Sequence, residues 1–201
     1  MKIIGITGPT GAGKTTALHA LTALGAEVLD ADQVYHQLLD TDADLRTRLV
    51  RAFGPDILDE AGKVDRKRLS AAVYPDRLEE LNGLTHPVIV DEIFRRAQLA
   101  QQAGRPAVAI DAIALVESGI AARCDVVVAV LAPLEVRIRR IMARDGIDES
   151  YARRRALAQK GEDFFRTHAD YVLENGEDDT PEAFAQRCRT LFETILKEER
   201  E

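Results

Sequence analysis

Residues Gly8–Thr15, GPTGAGKT, match the pattern G-x-x-x-x-G-K-[ST] at every fixed position. Glycines at this spacing let backbone N–H groups converge on the β-phosphate of a nucleotide, while the lysine reaches the β and γ oxygens and the hydroxyl can bind magnesium. The helix predicted after them would offer its positive N-terminus to the same anion. The motif predicts a P-loop that binds ATP through Gly11, Ala12, Gly13, Lys14, Thr15 and Thr16.

Two aspartates, Asp30 and Asp32, follow the short apolar stretch Glu27–Leu29. Aspartate is disfavoured in strands, so we interpret the pair as the polar end of a strand, where ligands of an open parallel sheet collect. In an extended segment the two side chains would point the same way. One of them could then orient and deprotonate an acceptor hydroxyl. The alternative is that one of the two caps the next helix.

The elements that must position these residues can be predicted from apolar runs. Five runs rich in Val, Ile or Leu lack clean alternation, as strands covered on both faces do: Lys2–Thr7, Glu27–Leu29, Ala107–Ile110, Asp125–Leu131 and Tyr171–Leu173. Helical patterns separate them, and the first is predicted to stop at Gly25. A helical stretch that follows Pro75 is predicted to break near Asn82-Gly83 and again at His86-Pro87. Strands alternating with helices predict an α/β fold with a doubly wound, parallel five-stranded sheet.

The chain is predicted to be a single domain with two additions to its core. The core would comprise about residues 1–32, 105–134 and 168–201. Residues 33–104 hold only helical and turn patterns and predict a helical insertion. Residues 135–167 are densely basic and predict a lid.

Composition excludes several classes of protein. The 201 residues are 46% hydrophobic and carry a net charge of −7, which argues against a general nucleic-acid binder. The apolar run at the N-terminus is too short for a secretory signal, and no run is long enough to span a membrane. We therefore expect a soluble, cytoplasmic protein. Cys124 and Cys188 are too few for a disulfide framework, and we interpret both as inert.

Other P-loop classes lack support in the sequence. GTPases also carry a base-reading Asn-Lys-x-Asp, which is absent, and Asp59–Gly62 (DEAG) is more typical of a turn. ATPase motors are usually larger. A small chain with a helical insertion and a basic lid favours a kinase of small molecules.

Several segments together are similar to one family. The stretches GITGPTGAGKTT, VLDADQVYHQLL, AFGPDILDEAGKVDRKRLSAAVYPD, LNGLTHPVI, DAIALVESGIAARCDVVVAV and ADYVLENG resemble dephospho-CoA kinase in order and spacing, over roughly residues 1–180. The resemblance implies an adenylate-kinase-like P-loop core, a helical CoA-binding subdomain and a lid. It also implies phosphorylation of the ribose 3′-hydroxyl of dephospho-CoA with MgATP, the last step of coenzyme A synthesis. The oligomeric state stays open.

The resemblance assigns roles to matching residues. It implies that Asp32 is the general base, that Asp30 orients its neighbours, and that Lys14 and Thr15 keep their P-loop roles. It further implies that the lid arginines Arg140 and Arg144 neutralise phosphates, and that His86, Asp111 and Glu117 contact the acceptor. Asp111, which closes the third strand, would also bind magnesium through a water.

Some features leave alternatives open. The family usually has a proline and an aromatic residue between the positions of Asp111 and Glu117, and this chain has neither, so the wall of its acceptor pocket differs. Arg137, Arg140 and Arg144 share one helical face, but they could instead form a solvated face with Glu135 and Asp145. Residues 153–155 favour such an exposed face, and the acidic end, residues 197–201, favours a solvated tail. A kinase of another nucleoside or small alcohol, and a non-catalytic nucleotide-binding regulator, remain as alternatives.

Overall fold

A computed structural model, which describes residues 1–198, contains one five-stranded sheet. Its strands are β1 (Lys2–Thr7), β2 (Glu27–Asp30), β3 (Ala107–Asp111), β4 (Val126–Leu131) and β5 (Tyr171–Glu174). The sheet is all-parallel in the order β2-β3-β1-β4-β5. Each predicted strand is confirmed to within one residue. Of the predicted solvated tail, residues 199–201 lie outside the described part of the chain.

Nine α-helices are present in the described residues. They are α1 (Lys14–Ala23), α2 (Ala31–Thr41), α3 (Ala43–Phe53), α4 (Arg66–Val73), α5 (Leu78–Gln102), α6 (Leu134–Asp145), α7 (Glu149–Leu157), α8 (Glu162–Thr167) and α9 (Pro181–Lys197). The predicted stop of α1 is confirmed, because Leu24 ends the helix and Gly25 follows at a φ of +88°. None of these helices is long and apolar enough to cross a membrane.

Strand β4 shows why the apolar runs lack alternation. Val126, Val128 and Val130 pack into the cluster that holds buried residues of α1 and α9. Ala129 and Leu131, which point to the opposite face, pack against Phe165 of α8. Helices therefore cover both faces of this strand, so nearly every residue of it is apolar.

The chain divides into two compact units, residues 30–96 and the remainder, residues 1–29 with 97–201. In the first of these, α3 and α4 bury Phe53, Ile57 and Leu69, three positions of the motif that resembles the dephospho-CoA kinase family. The guanidinium of Arg77 lies 4.5 Å from the ring centroid of Phe53 and donates to the carbonyl of Ala52. Those motif positions thus form a local hydrophobic core.

The predicted breaks near Asn82-Gly83 and His86-Pro87 are wrong, because α5 runs without interruption from Leu78 to Gln102. Pro87 lacks an N–H, and its ring crowds the carbonyl four residues earlier. That carbonyl belongs to Gly83, an exposed residue with open space where a Cβ would lie. Water can satisfy the carbonyl there, while buried Ile89 and Ile93 stabilise the rest of the helix.

The predicted turn at Asp59–Gly62 is confirmed. The carboxylate of Asp59 accepts hydrogen bonds from the backbone N–H groups of Ala61 and Lys63, both at 2.9 Å. This Asx-type arrangement closes the turn locally. The segment is therefore a structural turn rather than a GTPase motif.

Candidate active site

The P-loop connects β1 to α1 and requires its glycines. Gly8, Gly11 and Gly13 have φ values of +134°, +82° and +110°, which favour glycine. A Cβ on Gly8 would lie 2.1 Å from the carbonyl oxygen of Val130, and a Cβ on Gly13 would lie 2.3 Å from the side-chain nitrogen of Asn175. The loop therefore lies directly against the carboxyl ends of β4 and β5, where other residues would clash.

Lys14 begins α1 and reaches back over the loop. Its ammonium donates to the carbonyl of Gly8 at 2.8 Å and to that of Pro9 at 3.5 Å. The helix has no side-chain cap, since Gly13 precedes it, and Thr15 in its first turn is exposed. This geometry places an ammonium, a hydroxyl and a helix N-terminus around one loop, as phosphate binding requires.

Arg140 of α6 lies against the second half of the loop. Its guanidinium lies 3.4 Å from the carbonyls of Gly11 and Ala12 and donates to the side-chain oxygen of Asn175 at 3.0 Å. Asn175 is buried and donates in turn to the carbonyl of Ala12 at 2.9 Å. Burial lowers the pKa of Arg140, but an arginine stays charged. The structure thus brings this predicted lid residue to the P-loop.

Two further residues that contact the loop, Arg137 and Gln159, were not assigned from the sequence. Arg137 of α6 is only 8% exposed and donates to the carbonyl of Thr10. Gln159, which follows α7, binds both the backbone and the hydroxyl of Thr10. The shared helical face of Arg137 and Arg140 was a signal for the former. No sequence signal pointed to Gln159, since a single glutamine forms no motif with its neighbours.

Arg144, by contrast, lies in an exposed ion cluster. Its guanidinium donates to both carboxylate oxygens of Asp145, at 2.7 and 3.0 Å, and Arg155 donates to the same carboxylate at 2.6 Å. These contacts match the alternative of a solvated face. Arg153 likewise pairs with Glu135 and Glu149 on the surface. A phosphate contact by Arg144 stays a prediction.

Asp30 and Asp32 differ in local structure. Asp30 ends β2 and is the N-cap of α2, and its carboxylate accepts from the backbone N–H groups of Asp32 at 2.8 Å and Gln33 at 3.0 Å. Asp32 is exposed in the first turn of α2. The expectation that both lie in one extended segment is therefore wrong, because the helix begins between them. The alternative, that one of the two caps the next helix, is confirmed for Asp30.

The remaining predicted site residues lie on three different segments. Asp111 is the last residue of β3, where it is paired in register with Ile6 of β1. Glu117 is exposed in the turns that follow β3. His86 lies half-buried on α5, in the unit of residues 30–96. Their proposed roles toward the acceptor stay predictions.

The unit of residues 30–96 has its own pocket, of about 980 Å³. Lys63, Arg66 and Lys67 line it with Ser70 and Tyr74, beside the carboxylates of Asp40, Asp59 and Asp65. Asp65 caps α4 and accepts from the backbone N–H groups of Arg68 and Lys67, and the bond from Arg68 contributes most to the lowered pKa of this carboxyl. The lining thus holds three cations and three carboxylates, and two of the carboxylates, Asp59 and Asp65, accept from backbone N–H groups.

Both cysteines have the properties expected of unreactive thiols. Burial raises the pKa of Cys124 to about 12 and that of Cys188 to about 11. Since the thiolate is the nucleophile, neither side chain is activated.

Comparison with known proteins identifies the family. The model of the dephospho-CoA kinase family matches residues 2–180. Dephospho-CoA kinase of Corynebacterium diphtheriae is 35% identical and aligns with 98% of this chain and 100% of its own. The enzyme of Dehalococcoides mccartyi is 37% identical over 87% of this chain and 89% of its own. A solved dephospho-CoA kinase from Campylobacter jejuni superposes with a TM-score of 0.71 at 25% identity, covering 97% of each chain. The chain therefore belongs to the dephospho-CoA kinase family.

Proposed function

We propose that this protein transfers the γ-phosphoryl group of ATP to the ribose 3′-hydroxyl of dephospho-CoA, the reaction that completes coenzyme A. The observation that carries the proposal is a P-loop with all its required glycines, contacted by Lys14 and Arg140, in a member of this family. Phosphoryl transfer depends mainly on positioning and on neutralising charge. The loop and these two cations supply both.

Magnesium is part of the proposed reaction. Thr15 and Asp111 are a hydroxyl and a carboxylate, the hard oxygen donors that this ion prefers, and Mg²⁺ usually keeps several waters in addition to phosphate ligands. Thr15 would bind it directly and Asp111 through a water. When bound, the ion neutralises charge on the β and γ oxygens. Lys14 would leave the carbonyl of Gly8 to contact the same oxygens.

The lid arginines take different parts in the proposal. Arg140 already lies at the loop and would donate to the transferred group. Arg144 would contribute only after it exchanges Asp145 for phosphate. Since charge is spread over the equatorial oxygens of the migrating group in the transition state, we expect these contacts to act chiefly there.

Acceptor activation is assigned to Asp32. Its neighbour Asp30 uses its carboxylate to cap α2, so Asp32 is the one whose exposed carboxylate can take the hydroxyl proton. His86 and Glu117 are proposed to contact the acceptor. Arg66 and Lys67 would bind its diphosphate, because paired cations at a pocket suit phosphate oxygens.

One observation favours the second candidate, a kinase of another nucleoside. Between Asp111 and Glu117 the chain forms turns that expose Ile113, where the family usually has a proline and an aromatic residue. A changed wall would alter which acceptor is preferred without affecting the phosphate chemistry.

The test uses the purified protein with MgATP and either dephospho-CoA or adenosine as acceptor. We expect coenzyme A to form with the first and little product with the second, and Lys14→Ala to lose nearly all turnover. Equal or greater turnover with adenosine would favour the second candidate. Unchanged turnover in Lys14→Ala would contradict the role of the P-loop.

A further inference from the structure

We infer that Gln159 is a positioning residue of the phosphate site, which together with Arg137 fixes the P-loop at Thr10. The inference goes beyond the proposed reaction and depends on it only in taking this loop as the ATP site. The P-loop pattern sets no requirement at Thr10, which is one of its variable positions. The contacts that Gln159 and Arg137 make with Thr10 are therefore not part of the P-loop motif.

Gln159 binds Thr10 at two points. Its side-chain oxygen accepts from the backbone N–H of Thr10 at 2.9 Å, and its side-chain nitrogen donates to the hydroxyl of Thr10 at 2.9 Å. The same oxygen accepts from the guanidinium of Arg137 at 3.1 Å. A single amide thus uses both its ends to join residues far apart in the chain.

Arg137 completes the arrangement from the helix side. Its guanidinium donates to the carbonyl of Thr10 at 3.0 Å and to the carbonyl of Ala156, in α7, at 3.2 Å. A Cβ on Gly11 would lie 2.8 Å from the carbonyl oxygen of Arg137, so loop and helix backbones are in direct contact. Burial lowers the pKa of the Arg137 guanidinium, yet it stays charged. Its hydrogen bonds are therefore charge-assisted and strong.

Because the peptide is planar and trans, these contacts also fix the direction of the loop N–H groups. In a planar trans peptide the C=O and the following N–H point in opposite directions. With the Thr10 carbonyl held by Arg137, the N–H of Gly11 must point away from the Arg137 guanidinium. With the Ala12 carbonyl held by Asn175, the N–H of Gly13 is oriented in the same manner. Fixed amides need no reorganisation when an anion binds, which is the advantage of a preformed site.

The test compares nucleotide binding and turnover in substituted full-length proteins. Gln159→Leu keeps the size of the side chain but removes its bonds to Thr10 and Arg137. Thr10→Val removes the hydroxyl partner alone. We expect Gln159→Leu to weaken ATP binding by about tenfold, because the loss of its three hydrogen bonds is shared between folding and ATP binding, with unchanged KM for dephospho-CoA. Gln159→Glu keeps the acceptor for Thr10 and Arg137 but adds a negative charge beside the phosphate site, so it should restore only part of the affinity.

A control variant and a double variant distinguish positioning from a structural role. Gln98→Leu changes an exposed glutamine of α5 and should leave ATP binding as in the wild type. In the double variant Thr10→Val/Gln159→Leu the effects should be less than additive, because each acts through the other. Additive effects, or wild-type ATP affinity in folded Gln159→Leu, would overturn the inference.

The readouts also remain informative if a variant or the proposed reaction fails. Should Gln159→Leu not fold, Gln159→Met, which keeps the length of the side chain without its amide, takes its place, and wild-type ATP affinity in folded Gln159→Met would then overturn the inference. Calorimetric binding of ATP needs no acceptor. Failure of the wild type to make coenzyme A would therefore contradict the proposed function and leave the binding comparison intact.

Discussion

The start of α2 carries two aspartates, and helix α6 carries several arginines. In each region, residues of the same type have different environments. At α2, Asp30 binds backbone N–H groups while Asp32, two residues on, is exposed. On α6, Arg137 is buried against the P-loop while Arg144, two turns on, pairs with Asp145 at the surface. In both regions, one residue is fixed by hydrogen bonds to backbone groups, whereas the other has an exposed side chain.

The two regions differ in where the chemistry is placed. At α2 the structural residue is the N-cap and the proposed base is its exposed neighbour. On α6 the residue bound to the loop, Arg140, is itself the proposed phosphate ligand. Acid–base work requires a carboxylate that can reach its substrate, whereas charge stabilisation benefits from a cation that is already fixed.

Among changes in these two regions, the largest effect is expected for Asp32→Asn. A positioned base typically contributes roughly 10²–10⁴-fold, so kcat with dephospho-CoA should fall by that factor while ATP affinity and folding are retained. Steady-state kinetics and calorimetry measure the two. Asp44→Asn, which alters an exposed aspartate in the first turn of α3, serves as the matched control. A near-wild-type kcat in Asp32→Asn would remove this residue from the mechanism.

Arg140→Ala should come next. Loss of a donor that acts on transition-state charge lowers kcat by roughly 10²–10³-fold, and we expect a smaller rise in the KM for ATP. Arg153→Ala removes an arginine that pairs with Glu135 and Glu149 at the surface and should change neither constant appreciably. If Arg140→Ala changes KM alone, its contact with the loop serves ground-state binding only.

Asp30→Asn should be much milder than Asp32→Asn. Asparagine caps a helix about as well as aspartate does, so the thermal midpoint should hardly move and kcat should fall by less than about tenfold. Asp30→Ala, which lacks the cap, should lose about 1 kcal/mol of stability by denaturant unfolding. Greater damage to kcat in Asp30→Asn than in Asp32→Asn would reverse the two assignments.

The smallest effect concerns the ion cluster on α6. Hydrogen bonding to Arg144 lowers the pKa of Asp145 to about 2, with Arg155 adding to it. A lowered pKa stabilises the fold above the ordinary value of the carboxyl, and that contribution is lost as the pH falls toward 2. In Arg144→Ala the pKa of Asp145 should rise toward its ordinary value, as measured by NMR titration. An unmoved titration, equal to that of Arg153→Ala, would contradict the pairing.

Much of this architecture could be predicted from local pattern. Apolar runs located all five strands, and the motif located the P-loop, because both depend on residues adjacent in sequence. The break predicted in α5 was wrong because the carbonyl that Pro87 leaves without a partner belongs to Gly83, an exposed residue where water can bind it. Propensities of single residues do not include this effect of two residues four positions apart. The extended Asp30–Asp32 segment was wrong because a capping aspartate lets the helix begin at once. The contact between Gln159 and Thr10 joins residues 149 apart, which no spacing reveals.

The decisive measurement for the proposed reaction is identification of its product. The wild-type protein is incubated with MgATP and dephospho-CoA, and the product is examined by mass spectrometry and by phosphorus–proton NMR. We expect ADP and a product with one added phosphate, attached to the 3′-oxygen of the ribose. Release of ADP with inorganic phosphate and unchanged dephospho-CoA, or attachment of the phosphate to another hydroxyl, would contradict it.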